Sequence, residues 1–439
     1  MSTETVDLDI DVHHLTRVEG HGNIVVDMKN GELKTCHLNV VEAPRFFESF
    51  VRGRTWEEAC LITSRICGIC SPGHQLTSLK ATEDAMGIDI SEQTLLLRKI
   101  LCDGATLQSH ILHVYFLVAP DLFGVPSVIP LARTAPEVVK RALRLKKLAN
   151  DICDVIGGRA VHPITMVPGG VTKVPEATEL KALRQRLVEG ADDILATVET
   201  LKSVADKIPS FERETEYISL RSRDDEYALY DGDICSSDTG TTPDKNYLQM
   251  TNEKVVAHST AKHTHANRGS YMVGALARCN NNADRFNGTA QKAADELGLE
   301  PMAHNPYLNS IAQVVECGLI VERVVGFVDR LLEIGPKQEP RRSIKPRAGR
   351  GIGCTEVPRG ILYHDYTYND NGVIVEANCI IPTNQNFANI DLDMQALVPQ
   401  LVEAGKTQEE ITFALEMLVR AYDPCISCSV HLLDVQFLG

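Results

Sequence analysis

Two C-x-x-C pairs constrain the fold of this chain more than any other feature. Cys67-Gly-Ile-Cys70 stands in R-I-C-G-I-C (65–70), and Cys425-Ile-Ser-Cys428 stands in D-P-C-I-S-C-S-V-H (423–431), with 354 residues between the pairs. A C-x-x-C loop can turn both sulfurs toward one metal. If the pairs share a site, the last segment is tied into the core, although chain ends usually fray. Three chemistries compete. A structural zinc site fits poorly with so wide a separation, and a chain of 439 residues has little need of a staple. A thioredoxin-type dithiol needs only one pair, near a βαβ unit, and neither pair lies in such a pattern. A redox-active soft metal held by four thiolates uses both pairs and favours nickel or iron over hard cations, but spacing alone does not choose the metal.

Composition narrows the setting. The formal net charge of −15 makes the chain a poor non-specific ligand for nucleic acid or an anionic membrane. No uncharged apolar run is long enough to suggest a transmembrane helix. The start, MSTETVDLDIDVHH, has neither the basic nor the apolar region of a secretory signal, so the expected compartment is the cytoplasm. There the 13 cysteines are expected as thiols or metal ligands rather than disulfides. Cys36, Cys60, Cys102, Cys153, Cys235, Cys279, Cys317, Cys354 and Cys379 stand singly and read as small buried hydrophobes.

The pattern predicts an α+β, mainly helical chain: a long-helix bundle core with peripheral β-hairpins and small sheets. Apolar runs flank Asn30-Gly31 and again Asn371-Gly372, each a hairpin signal. Helical periodicity spans 91–120, closing at Pro120, and then 135–158, 176–208 and 306–335, the last apolar on most faces. Ser71-Pro72-Gly73 reads as a helix breaker, and DMQALVPQLVEAG and TQEEITFALEMLVRAY read as two shorter helices. The organisation expected is one multi-lobed domain over 1–439. It comprises a β-rich lobe (1–55), helical core parts (56–208 and 261–340), a strand and loop insertion (209–260) and a metal-binding end (341–439).

The residues around the cysteines carry a resemblance. R-V-E-G-H (17–21), R-I-C-G-I-C-S-P-G-H (65–74), G-G-R-x-x-H-P with V-P-G-G (157–170), V-P-R-G (357–360) and D-P-C-I-S-C-S-V-H (423–431) run nearly from end to end. Together they resemble the large, catalytic subunit of nickel–iron hydrogenases, most like the cytoplasmic, cofactor-coupled group 3 type. The related quinone-binding subunit of respiratory complex I shares that fold but lacks the four cysteines.

The resemblance implies a Ni-Fe(CN)2(CO) centre with Cys67 and Cys425 terminal on nickel and Cys70 and Cys428 bridging to iron. It implies reversible heterolytic cleavage of H2. Glu19 would be the proton relay, Arg359 would project over the open metal face, and Pro382-Thr383 would meet the cyanides. His74 and Asp423 would support the ligands. His110 and His113, three apart in one helix, would be supporting or core residues rather than nickel ligands. Glu48 and His431 would hold a separate Mg2+ or similar divalent ion. Many relatives are cut just after this histidine, whereas here LLDVQFLG follows it. Ser109 stands where longer respiratory relatives carry an aspartate.

The chain has no further grouped cysteines for iron–sulfur clusters and no G-x-G-x-x-G fingerprint. Electrons must therefore leave through a second protein. The resemblance implies an iron–sulfur small subunit, with further NAD(P)-, flavin- or ferredoxin-linked subunits beyond it. The alternative reading is a non-catalytic scaffold subunit of an electron-transfer complex, with structural zinc or free thiols.

Overall fold

The computed structural model describes residues 7–430. Counting helices of fourteen residues or more, the chain forms α1 (Ser71–Met86), α2 (Glu92–Leu112), α3 (Pro136–Gly157), α4 (Ala177–Lys202), α5 (Asn309–Ile334), α6 (Pro382–Glu403) and α7 (Gln408–Ala421). Helices α2, α3, α4 and α5 pack as a closed four-helix bundle, each against its neighbours around the ring. The core of this bundle is aliphatic, with Leu101, Ile152, Leu187, Val315 and Val324 among its buried residues. Helix α5 is buried continuously from Asn309 to Val321, which is why its sequence is apolar on most faces.

Strands β1 (Leu8–Val12), β2 (Gly22–Lys29) and β3 (Glu32–Val40) form an antiparallel sheet in chain order. Its second turn is the expected hairpin at Asn30-Gly31, where both residues adopt positive φ (52° and 75°), the geometry of a type I′ turn. Strands β4 (Met166–Val167) and β5 (Gly170–Val171) make a short hairpin. Strands β6 (Glu216–Arg221), β7 (Asp233–Ser236), β8 (Gly240–Thr242) and β11 (Tyr271–Met272) form a mixed sheet, and β9 (Asn252–Lys254) pairs with β10 (His263–His265). The last sheet joins β12 (Gly349–Val357), β13 (Gly360–Tyr368) and β14 (Ile374–Ile380), and its β13–β14 turn is the expected one near Asn371-Gly372.

Prolines mark the main departures from expectation. Ser71-Pro72-Gly73 does not break a helix; it forms the first residues of α1. Pro382 likewise opens α6, which is far longer than the segment expected from residue 393 onward. A first-turn N–H has no partner within the helix, so proline costs nothing there, and its fixed φ suits the helix start. Near Pro120 the helix α2 is regular only to Leu112, widens into a π-helical stretch over His113–Val118, and re-forms as a short helix at Ala119–Leu122 with Pro120 in its first turn.

Strand β12 was not legible from its sequence, G-R-G-I-G-C, because glycine is depleted in strands. Its glycines serve close packing. A Cβ at Gly351 would stand 2.1 Å from the Ala81 carbonyl oxygen, and one at Gly353 would stand 2.1 Å from that of Thr77. Helix α1 thus lies with its backbone directly on the strand. Gly73 meets the same strand at Val357, where a Cβ would come within 2.3 Å of Cγ1. This seam sets the N-terminus of α1 beside the end of β12. We expect Gly351→Ala to force the helix away and to destabilise the chain by about 1–3 kcal/mol. Chemical denaturation with an unchanged midpoint would show that the seam yields freely.

Candidate metal centre and its surroundings

Cys67 lies in the loop before α1, and Cys70 is the residue that caps the helix N-terminus. Cys425 and Cys428 flank and occupy the one-turn helix Ile426–Ser429, which follows α7. The four cysteines are buried, each at most 5% exposed. Their sulfurs all lie within 4.8 Å of one another. Cys67 and Cys425 sulfurs are 3.7 Å apart, Cys70 and Cys428 sulfurs 4.0 Å, and those of Cys425 and Cys428 are in direct contact. Two pairs far apart in sequence therefore make one cluster.

The cluster is built to hold negative charge. Cys67 Sγ accepts the backbone N–H of Ile69 at 3.2 Å and of Cys70 at 3.0 Å. It sits at the N-terminus of α1, where the helix dipole favours anions. Burial by itself raises the Cys67 thiol; hydrogen bonding from Cys70 and the nearby Arg359 cation outweigh it and bring the thiol below its ordinary value. Cys70 is pushed the other way, by sharing a hydrogen with Cys67 and by burial.

Arg359 stands at the turn between β12 and β13, 4% exposed. Its Nε donates to the Asp423 carbonyl at 2.6 Å, Nη2 donates to the Asp423 carboxylate at 2.8 Å, and Nη1 reaches Ser109 Oγ at 3.4 Å. Asp423 holds a positive φ of 52° and also accepts from Gln313 Nε2 at 3.1 Å. The carboxylate that fixes this arginine thus comes from the cysteine segment itself, while position 109 supplies only a hydroxyl. Thr383 is in the first turn of α6, and its Oγ1 accepts the Cys425 N–H at 3.1 Å. His74 Nδ1 lies 3.3 Å from His364 Nε2, and His364 Nδ1 lies 2.6 Å from the Tyr366 hydroxyl.

Glu19 reaches the second cysteine pair from the N-terminal lobe. Its carbonyl accepts the Ile426 N–H at 2.9 Å, and its carboxylate accepts the Ser427 N–H at 3.1 Å. Ser427 Oγ then donates to Glu42 at 3.2 Å, and Glu42 lies 3.2 Å from the exposed ring of His21. Sequence reasoning does not single out Ser427 or Glu42, since neither a lone serine nor a lone glutamate carries a spacing signal. Glu48 is buried and accepts the Cys379 N–H at 2.8 Å. His431, its expected partner at a second ion site, and LLDVQFLG lie outside the described residues.

His110 and His113 join buried polar networks, and His113 Nε2 lies 3.9 Å from the Asp423 carboxylate. His110 Nε2 meets Glu316 at 2.7 Å, while His113 bridges Gln313 at 2.5 Å and the Arg420 carbonyl at 2.7 Å. Glu316 belongs to a fully buried charge group that the sequence did not reveal. Arg278 forks onto it at 2.6 and 2.7 Å and reaches Glu356 at 2.9 Å. Burial pushes Glu356 up to about 7, and Arg278 opposes that rise. Arg278 also donates at 3.0 Å to the carbonyls of Val357 and Pro358, the two residues before Arg359. It therefore sets the turn that presents Arg359. Arg278→Gln should cost about 3–5 kcal/mol, because two buried carboxylates lose their cation. Wild-type stability in urea unfolding would show that the network carries no net stabilisation.

Comparison with known proteins agrees with this geometry. A family model described as nickel-dependent hydrogenase matches residues 45–142 and 222–431, and one described as HoxL-like matches 9–43. The chain belongs to the nickel-dependent hydrogenase family. It is 35% identical to the alpha chain of sulfhydrogenase 1 from Pyrococcus furiosus, across 97% of this chain and 98% of that protein. It is 31% identical to an F420-non-reducing hydrogenase chain from Methanothermobacter marburgensis, across 96% of this chain and 94% of that protein. In structure it is similar to an NAD+-reducing [NiFe]-hydrogenase in its H2-reduced state, with a TM-score of 0.87, 27% identity, and coverage of 96% and 99%.

Proposed function

We propose that this chain is the catalytic large subunit of a cytoplasmic, multi-subunit nickel–iron hydrogenase of the cofactor-coupled kind, cleaving and forming H2 reversibly. The observation that carries this reading is the convergence of four buried sulfurs from two distant C-x-x-C pairs, bordered by Arg359 and Glu19. The donor set fits a nickel–iron group: four soft sulfurs in a dry pocket suit nickel and low-spin iron better than any hard cation. Cys67, Cys70, Cys425 and Cys428 would hold it. Bound there, a Ni-Fe(CN)2(CO) group would supply the electron-rich metals at which H2 is split heterolytically.

The protein's own residues handle charge and protons. Arg359 cannot readily release its proton, so its fixed cation offsets the charge of the sulfurs. Pro382 and Thr383, at the start of α6, would meet the cyanides, the Thr383 hydroxyl lying beside Cys425. Glu19 takes up the proton beside the second cysteine pair, its carboxylate held there by the Ser427 N–H. Glu48, with His431, would bind a hard divalent ion such as Mg2+.

Electrons leave through a partner. Among the described residues the only clustered cysteines are those four. The relatives' names describe components of larger assemblies, which supports an iron–sulfur small subunit with NAD(P)-, flavin- or ferredoxin-linked subunits beyond it. Exposed apolar Phe46, Phe50 and Leu61 lie on the segments just before the R-I-C-G-I-C loop and offer that partner a docking face near the centre. No helix among the described residues is long and apolar enough to cross a membrane. Infrared spectra of the matured complex test the proposal. Carbonyl and cyanide stretches are expected, and their absence alongside zinc in place of nickel would favour the scaffold reading.

A further inference from the structure

A second group of potential ligands lies apart from the four cysteines. His258, His263 and Asp391 bring one ligand atom each within 4.8 Å of the other two. They come from three parts of the chain: the loop after β9, the start of β10, and the middle of α6. His258 Nε2 is 3.4 Å from Asp391 Oδ2. The His258 and His263 rings sit edge to face, 5.3 Å between centroids. The ring of His37, from β3, lies against His258 at 4.2 Å.

Three features distinguish this cluster from ordinary packing. His263 is 4% exposed, yet its Nε2 has no hydrogen-bond partner. His258 Nε2 is also buried and makes no properly aligned hydrogen bond. A buried nitrogen without a partner is costly and needs a reason. Asp391 is oriented from behind, because its other oxygen accepts the Leu38 N–H at 2.8 Å, leaving Oδ2 turned to His258. A ligand carboxylate held in this way is what a metal site requires of its surroundings. The segments are already tied together here, since Asn384 Nδ2 of α6 donates to the Lys262 carbonyl, just before β10, at 2.9 Å.

We propose that His258, His263 and Asp391 form a binding site for a divalent zinc-class ion, with water completing four-coordination. The donor set is two imidazoles and one carboxylate, which suits a borderline cation and disfavours magnesium or calcium. The geometry needs little adjustment. Three atoms no more than 4.8 Å apart have a common centre within about 2.8 Å of each, and contraction to bonds of about 2.0–2.1 Å is within side-chain reach. His258 is partly exposed and gives the ion its entry path. The ion would clamp the β9–β10 loop onto α6. It makes no contribution to the H2 chemistry.

The test uses the intact purified hydrogenase complex. After dialysis against zinc and then metal-free buffer, elemental analysis should find one more zinc per large chain in the wild type than in His258→Gln. Nickel content and H2–D2O exchange should match in the two proteins. Zinc X-ray absorption on the wild type should report a shell of nitrogen and oxygen neighbours, a readout that does not depend on how the variant folds. Equal zinc in the two proteins, or a shell dominated by sulfur, would overturn the site.

Discussion

Glu19→Gln is expected to abolish exchange of H2 with solvent deuterons while nickel and iron remain in place. Heterolytic cleavage leaves a proton that must move to the protein at once. Glu19 is the carboxylate hydrogen-bonded to the second cysteine pair's own helix, through Ser427 N–H. Glutamine preserves the shape and the acceptor oxygen, so the segment 425–428 keeps its anchor. It cannot be protonated and released near neutral pH, so the relay stops. Loss of a positioned acid–base group costs about 10²–10⁴-fold in rate. The infrared signature and the nickel content should be those of the wild type. Exchange at the wild-type rate would remove Glu19 from the proton path.

Cys425→Ser has a different expected signature: the metal centre itself disappears. A serine hydroxyl is a hard donor that stays protonated, so one corner of a soft four-sulfur set is lost. Nickel should fall to background, carbonyl and cyanide stretches should vanish, and exchange should cease. The control is Cys235→Ser, in β7, a buried thiol outside the cluster. That variant should keep its nickel and its exchange. Retention of a full nickel complement in Cys425→Ser would remove Cys425 from the ligand set. The two experiments separate roles: one stops protons with the metals present, the other removes the metals.

Arg359 and Asp423 illustrate how much of the site was readable. Both stand inside local signatures, V-P-R-G and D-P-C-I-S-C, so both could be named as candidates. Their pairing, with a carbonyl and a carboxylate of one residue gripping one guanidinium, could not be read from the sequence. It depends on Asp423 taking a left-handed backbone and on the β12–β13 turn being placed above the cluster. That placement rests on Arg278 and on the glycines of β12, and neither carries a functional signal in the sequence. The helix bundle was legible for a simpler reason: four long segments with helical periodicity have few other ways to bury their apolar faces. Proline was the misleading residue, since its meaning depends on whether a helix begins or continues beside it.

The four thiols, their grouping in pairs, the family and the helical core can all be read from the linear chain. The pairs and the core follow from local spacing and periodicity, and the family from the resemblance its local signatures carry, all of which the chain has without its fold. Tertiary packing chose which groups surround the sulfurs, that Glu19 meets the Ser427 N–H, and that His258, His263 and Asp391 meet. The decisive contacts join segments hundreds of residues apart, as in the bonds from Leu38 N–H to Asp391 and from Ser427 N–H to Glu19. No local pattern encodes such a meeting, because it follows from how whole helices and sheets pack.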